Sequence, residues 1–297
     1  MPAASVRPSW LSSELYPFES RFFSTAAGSV HYIDEGEGKP LVFVHGNPSW
    51  SFEFRHIVKA LRNEYRCIAI DHLGFGLSGK DLAPEEWPPQ RHAARLGELL
   101  RHLGLERVTL VLADWGGPIG LDFAVKHPDL ISGLVLFNTF AWPVNDDRHF
   151  RMFSRMMASR PGQFLIRHGN IFVNFVLPGS VGVKKALTPC VMKHYRGPMA
   201  TPADRSASAA LPRHIMAAGP WLDEIWRQRD RFADKPALVI WGGSDIAFRL
   251  KEFDVWKAAL RHGTFHYHKS VGHLVAEEIP DVSTGHIRDF LNTMSAS

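Results

Sequence analysis

The feature that most constrains this chain is its alternation of short apolar runs with helical stripes. Leu41 to Val44 (LVFV) is an apolar run of strand length, and Phe54, Ile57, Val58 and Leu61 then recur at the i, i+3, i+4, i+7 spacing of a helix face. The pattern repeats with RCIAI (66–70), a stripe of Leu96, Leu99, Leu100 and Leu103, VTLVL (108–112) and a helix over Pro118 to Lys126. GLVLF (133–137), ALVIW (237–241) and FHYHKSV (265–271) complete the series. Strands apolar on both faces and separated by helices predict a mostly parallel sheet covered on both sides. From about 141 to 221 the alternation stops, and the chain becomes rich in Met, Phe, Arg, Pro and Gly. This predicts an α/β core over 1–140 and 222–297 with a helical cap over 141–221, inserted between two core strands.

Composition narrows the function classes. The 297 residues, 45% hydrophobic and 22% charged, suit an ordinary globular protein that builds a full core. Lys and Arg exceed Asp and Glu by 34 to 30, and the basic residues are scattered among carboxylates, so no nucleic-acid partner is expected. The one local run, Arg148, Arg151, Arg155 and Arg160, reads as a solvated helix face. Two distant cysteines, Cys67 and Cys190, support neither a disulfide framework nor a metal cluster. The N-terminal stretch MPAASVRPSWLSSELYPFES has no continuous apolar segment, and no run of about 18 apolar residues follows, so no membrane insertion and a cytoplasmic location are expected.

Two junctions bear on chemistry. Gly74-Phe75-Gly76-Leu77-Ser78-Gly79 matches a dinucleotide fingerprint in form, but Pro84, Pro88 and Pro89 follow where that motif needs a helix. It reads as a Gly-rich loop beside the site, with no cofactor implied. In VTLVLADWGGPIG a strand runs into Asp114, Trp115, Gly116 and Gly117 and then a helix, the pattern of a nucleophile elbow with a carboxylate at the nucleophile position. Taken alone, Asp114 reads equally well as a helix N-cap. The absence of GxSxG argues against a serine esterase. Three strand-end segments add to this: His45-Gly46-Asn47-Pro48, Trp241-Gly242-Gly243-Ser244-Asp245 and Val271-Gly272-His273. His273 stands out among sixteen histidines because its chain order and its strand-end position both fit a triad base.

The segments LYPFES, HGNPSWSF, DHLGFGLSGK, DWGGPIG, IWGGSDIAFR and VGHLVAEE, in this order and spacing, resemble the haloalkane dehalogenases of the α/β-hydrolase fold. The resemblance spans nearly the whole chain and implies a mostly parallel eight-stranded sheet flanked by helices. It makes Asp114 the nucleophile that forms an alkyl ester, and His273 the base that activates the hydrolytic water. The backbone N–H groups of Asn47 and Trp115 would form the oxyanion hole, and their side chains would bind the halide. One branch of the family places its acid where this chain has Asn138, so Asp245 becomes the triad acid, as in the third subfamily. Asp146 and Asp147 read as solvated cap residues. The implied partners are a small neutral halogenated substrate, water and the halide product, without cofactor or metal, and a homo-oligomer is left open. One departure is Leu112, a large side chain two positions before the nucleophile, where a small one is usual. Another is Ala113, in place of a polar residue.

Alternatives remain. An epoxide hydrolase of the same fold would need two tyrosines from the cap, where Tyr195 stands alone. A fluoroacetate-type dehalogenase would need arginines beside the nucleophile. A non-catalytic ligand-binding protein on the same fold is the different-class reading.

Overall fold

The computed structural model describes residues 7–296. The first six residues, part of the N-terminal stretch discussed above, lie outside the described residues. Eight strands form one sheet: β1 (Arg21–Thr25), β2 (Gly28–Glu35), β3 (Pro40–Val44), β4 (Arg66–Ile70), β5 (Val108–Asp114), β6 (Ile131–Thr139), β7 (Ala237–Gly242) and β8 (Gly263–His268). Their order is β1-β2-β4-β3-β5-β6-β7-β8; β1 and β2 are antiparallel, β2 runs antiparallel to β4, and all other neighbours are parallel. The central strands are buried along their length because helices cover both faces.

The helices between β3 and β6 are α1 (Arg55–Leu61), α2 (Pro89–His102) and α3 (Gly116–Lys126). Leu96, Leu99 and Leu100 of α2 are buried, as their stripe predicts, while Leu103 lies just past the helix end. Pro89 opens α2, where its missing N–H costs nothing, so the three prolines delay a helix without abolishing it. The sequence reading of 265–271 as strand is corrected: β8 spans Gly263–His268, and Lys269 to Val271 turn out of the sheet toward His273. The antiparallel pair β1 and β2 carried no distinct apolar run; β1 is nowhere fully buried.

Between β6 and β7 the described residues are helical: α4 (Arg148–Ala158), α5 (Arg160–Gly169), α6 (Leu177–Ser180), α7 (Pro189–Arg196), α8 (Ser206–Ala217), α9 (Gly219–Arg227) and α10 (Asp230–Ala233). Asp147 caps α4 by accepting from the His149 N–H at 2.8 Å, and Ser159 caps α5 through Gly162. Asp147 also pairs with Arg249 and Lys251, so it is a structural carboxylate rather than a solvated one. Helices α4 and α5 pack on α8, whereas α9 and α10 pack on α3. The chain closes with α11 (Leu250–Ala259), α12 (Val275–Glu278) and α13 (Pro280–Ala296). No helix among the described residues is long and apolar enough to cross a membrane.

Candidate active site

Asp114 sits where β5 ends and α3 begins, with φ at +48°. A non-glycine residue is rarely held in this left-handed region, and it turns the side chain out of the sheet edge. Gly116 and Gly117 allow the turn: a Cβ on Gly116 would lie 2.0 Å from the Val44 carbonyl oxygen, and one on Gly117 would lie 1.8 Å from Thr139 Oγ1. Thr139 donates its hydroxyl to the Asp114 carbonyl at 2.5 Å, tying β6 to the elbow. Leu112 fits because its partner is Gly120, where a Cβ would approach Leu112 Cδ2 to 2.4 Å.

The side chain of Asp114 faces the HGNP loop, and its Oδ2 accepts the Asn47 N–H at 2.7 Å. Burial pushes the carboxyl above its ordinary range, and nearby His273 with the Asn47 and Trp115 amides holds it back. His273 Nδ1 is 2.8 Å from Asp245 Oδ2. Burial works against a charged imidazole, yet Asp245, with Asp114 and Glu53 behind it, raises His273 to about 10. The ring stacks on Phe248, with 5.8 Å between centroids.

Asp114, His273, Asn47 and Trp115 line one cavity of about 250 Å³, and Asp245 stands behind His273. The walls are largely aromatic, with Phe140, Phe150, Phe153, Phe172 and Phe248, and no arginine lines them. A site this dry and small suits a neutral apolar ligand, since ordinary small-molecule pockets run from about 300 to 1,000 Å³. Trp115 packs edge-on against Phe140, and its indole nitrogen bonds to no described protein group. Asn47 is more constrained than its sequence context suggests. Its Oδ1 accepts from Ser208 Oγ at 2.5 Å and its Nδ2 donates to the Ser208 carbonyl at 3.3 Å, leaving one amide hydrogen for a ligand.

Three contributors escaped the sequence reading. Asn138 Nδ2 donates to Asp245 Oδ2 at 2.7 Å and to the Gly242 carbonyl at 2.9 Å, while its Oδ1 accepts the Gly242 N–H at 2.7 Å. A position set aside because it cannot be anionic thus orients the acid. Glu278 accepts from the N–H groups of Gly182, Val183 and Gly272, bolting the cap segment before α7 to the His273 loop. Glu53, in the turn after the HGNP loop, is a fully buried carboxyl whose field reaches both His273 and Asp114. Only Glu278 lies in a segment that the family resemblance brought forward.

The Gly-rich loop after β4 serves structure. A Cβ on Gly76 would fall 2.1 Å from Asp71 Oδ2, and that buried carboxylate binds His31, Ser51 and Leu77. Tyr195 is wholly buried and donates to Glu277 at 2.8 Å, beside the Arg55–Glu277 ion pair, so its hydroxyl is turned away from the cavity chemistry. Cys67 is buried and Cys190 exposed, both free.

A family model described as alpha/beta hydrolase fold matches residues 39–279. Haloalkane dehalogenase 2 of Mycobacterium tuberculosis is 41% identical over 276 residues, covering 90% of this chain and 93% of the relative. The chain belongs to the haloalkane dehalogenase family of α/β-hydrolases. A second relative, the cis-3-alkyl-4-alkyloxetan-2-one decarboxylase of Shewanella oneidensis, is 32% identical over 286 residues, covering 93% of this chain and 89% of the relative. The crystal structure of haloalkane dehalogenase DbeA from Bradyrhizobium elkani superposes with a TM-score of 0.84 at 24% identity, over 94% of this chain and 99% of that one, a likeness of fold. The family thus accounts for the eight-stranded, mostly parallel sheet with its flanking helices.

Proposed function

We propose that the protein hydrolyses small neutral haloalkanes to an alcohol, a halide and a proton through an ester on Asp114. The observation that carries this is one apolar-walled cavity lined by Asp114, His273, Trp115 and Asn47, with Asp245 bonded to His273 behind it. In the first half-reaction a carboxylate oxygen of Asp114 attacks the halogen-bearing carbon; the carbon–halogen bond breaks and its electron pair leaves with the halide. Trp115 Nε1–H and the free Asn47 amide hydrogen face the charge that grows on the halogen.

In the second half-reaction His273 takes a proton from water as the oxygen attacks the ester carbonyl. The oxyanion formed rests against the Asn47 and Trp115 N–H groups and collapses; the alkoxide takes the proton back from His273 and leaves as the alcohol, and the regenerated Asp114 carboxyl loses its proton to solvent. In the resting protein, Asp114 is one of the carboxylates that raise His273. Esterification removes that charge, so the imidazole becomes easier to deprotonate when it must act as base. Residues 141–221 are read as the cap that excludes water, and Asp245, held by Asn138, as the triad acid. Tyr195 is spent on Glu277, which disfavours the epoxide hydrolase reading.

The test is His273→Gln with a short bromoalkane. We expect about one equivalent of bromide and an alkyl adduct on Asp114 by intact-protein and peptide mass spectrometry, with no further turnover. Sustained turnover, or an adduct elsewhere, refutes the assignment. A parallel arm with a cis-3,4-dialkyl oxetan-2-one asks whether the native protein forms alkene and carbon dioxide. The small cavity favours the bromoalkane.

A further inference from the structure

The outer side of the α4–α5 layer differs from the rest of the surface in two respects. Residues 141–221 contain eleven Lys and Arg against three Asp, a surplus of eight, whereas the whole chain has a surplus of four. The remainder is therefore net acidic. The same segment also exposes large apolar side chains: Met152 and Met156 at 57%, Phe164 at 62% and Phe175 at 70%.

The two features share faces. On α4, Arg148, Met152, Arg155 and Met156 recur at helical spacing opposite the buried Phe150, Ser154 and Met157. On α5, Arg160, Phe164 and Leu165 lie opposite the buried Gly162 and Ile166. Both helices rest on α8, so both outer faces point away from the core. Arg148, Arg155 and Arg160 form no ion pair with a described carboxylate. Inner side chains of α4, Phe150 and Phe153, wall the catalytic cavity.

We propose that this cap face docks peripherally on an anionic lipid surface, its arginines meeting headgroups and its Phe and Met side chains entering the headgroup boundary. Charge complementarity selects the occupant. Clustered basic residues beside exposed aromatics bind anionic bilayers through coulombic attraction plus shallow apolar burial. A second copy is disfavoured, because an isologous contact would set the same arginines against one another. Docking here brings the cavity wall next to a phase in which neutral apolar molecules concentrate. It is a surface attachment and needs no spanning helix.

Sedimentation with vesicles tests it independently of catalysis. The native protein should bind phosphatidylglycerol–phosphatidylcholine vesicles at least about tenfold more tightly than pure phosphatidylcholine vesicles, with binding weakening as salt is added. Combined Arg148→Glu, Arg155→Glu and Arg160→Glu substitutions should abolish that preference. Combined Met152→Ser and Phe164→Ser substitutions should reduce the binding that survives at high salt. All five side chains are exposed or at the surface, and unchanged circular dichroism and melting temperature establish that the variants fold. A matched reversal of Arg21, Arg101 and Lys257 on the core should leave binding near native. Equal binding to both vesicle types, or equal loss in the cap and core triples, overturns the proposal. So does a concentration-dependent dimer that Met152→Ser and Phe164→Ser dissolve, which would give the face to a second copy.

Discussion

Glu53 shows how one buried side chain couples stability to the site. It is 2% exposed in the turn after the HGNP loop, facing Ser49, Asp114, His273 and Glu277, with Tyr195 beyond. Burial pushes its carboxyl up to about 7, against the help of Ser49 and His273. A carboxyl raised on folding contributes most stability below its ordinary value of 4.5 and loses that contribution as pH rises through about 7. The ionised form then costs about 3 kcal/mol at most. Glu53→Gln should therefore match the native stability near about pH 4 and exceed it increasingly through about pH 7, reaching a plateau of up to about 3 kcal/mol by about pH 8 in urea titrations. A constant difference across that span would show that Glu53 does not titrate with folding. The same variant removes one of the carboxylates that raise His273, so ester hydrolysis should persist to lower pH. Nothing in the sequence marks Glu53, which acts through contacts with segments distant in the chain, and Asn138 was noticed through the family resemblance only as a position that cannot be anionic, because its bond to Asp245 joins segments far apart. The elbow at Asp114 and the loop carrying His273 were readable as places in the chain because both are local strand-end patterns.

At the scale of elements, the sheet and the elbow are held by paired small and large residues across β5, α3 and β3. Apolar runs made the buried parallel strands legible, since those strands are dry on both faces. β1 was not, because a strand at an exposed antiparallel edge is under no demand for a continuous apolar run, and β2, although paired on both sides, buries the polar His31 inside its run. Leu112 had signalled trouble for the turn; its accommodation by Gly120 depends on a helix position eight residues on, which no local reading weighs. Two glycine substitutions should separate these roles. Gly120→Ala meets the far end of a leucine and should cost about 1–3 kcal/mol, partly recovered by adding Leu112→Val. Gly116→Ala meets the Val44 backbone carbonyl, which cannot move without displacing β3, and should cost about 3 kcal/mol or more with no rescue from Leu112→Val. Denaturation midpoints of the four proteins decide it. Equal rescue of both glycine variants would mean that the elbow does not rest on close backbone approach.

For the whole molecule, His273, the base of the proposed mechanism, sets stability and turnover against each other along the pH axis. His273 is raised on folding from its ordinary 6.5 to about 10, because Asp245 and its neighbouring carboxylates outweigh burial. A histidine raised on folding contributes stability fully below about 6.5, and that contribution is lost as pH climbs through about 10. The corresponding free energy is about 5 kcal/mol at most. Glu53 loses its own contribution over an overlapping range, so both groups destabilise the fold toward alkaline pH. Turnover runs the other way, because the hydrolytic step needs a neutral imidazole and gains from rising pH. The protein should thus hydrolyse its ester fastest at a pH where its denaturation midpoint has already begun to fall. Asp245→Asn removes the strongest support for the charged imidazole while keeping the shape of the acid. It should flatten the decline in stability between about pH 6 and pH 10, and it should slow ester hydrolysis by up to about 10⁴, the cost of the same change in the serine-protease triad. Urea midpoints across that range and single-turnover ester decay measure the two effects on one preparation. If the native and Asp245→Asn proteins lose stability with the same slope, the His273–Asp245 pair is not what ties the fold to pH, and another group must carry the alkaline loss.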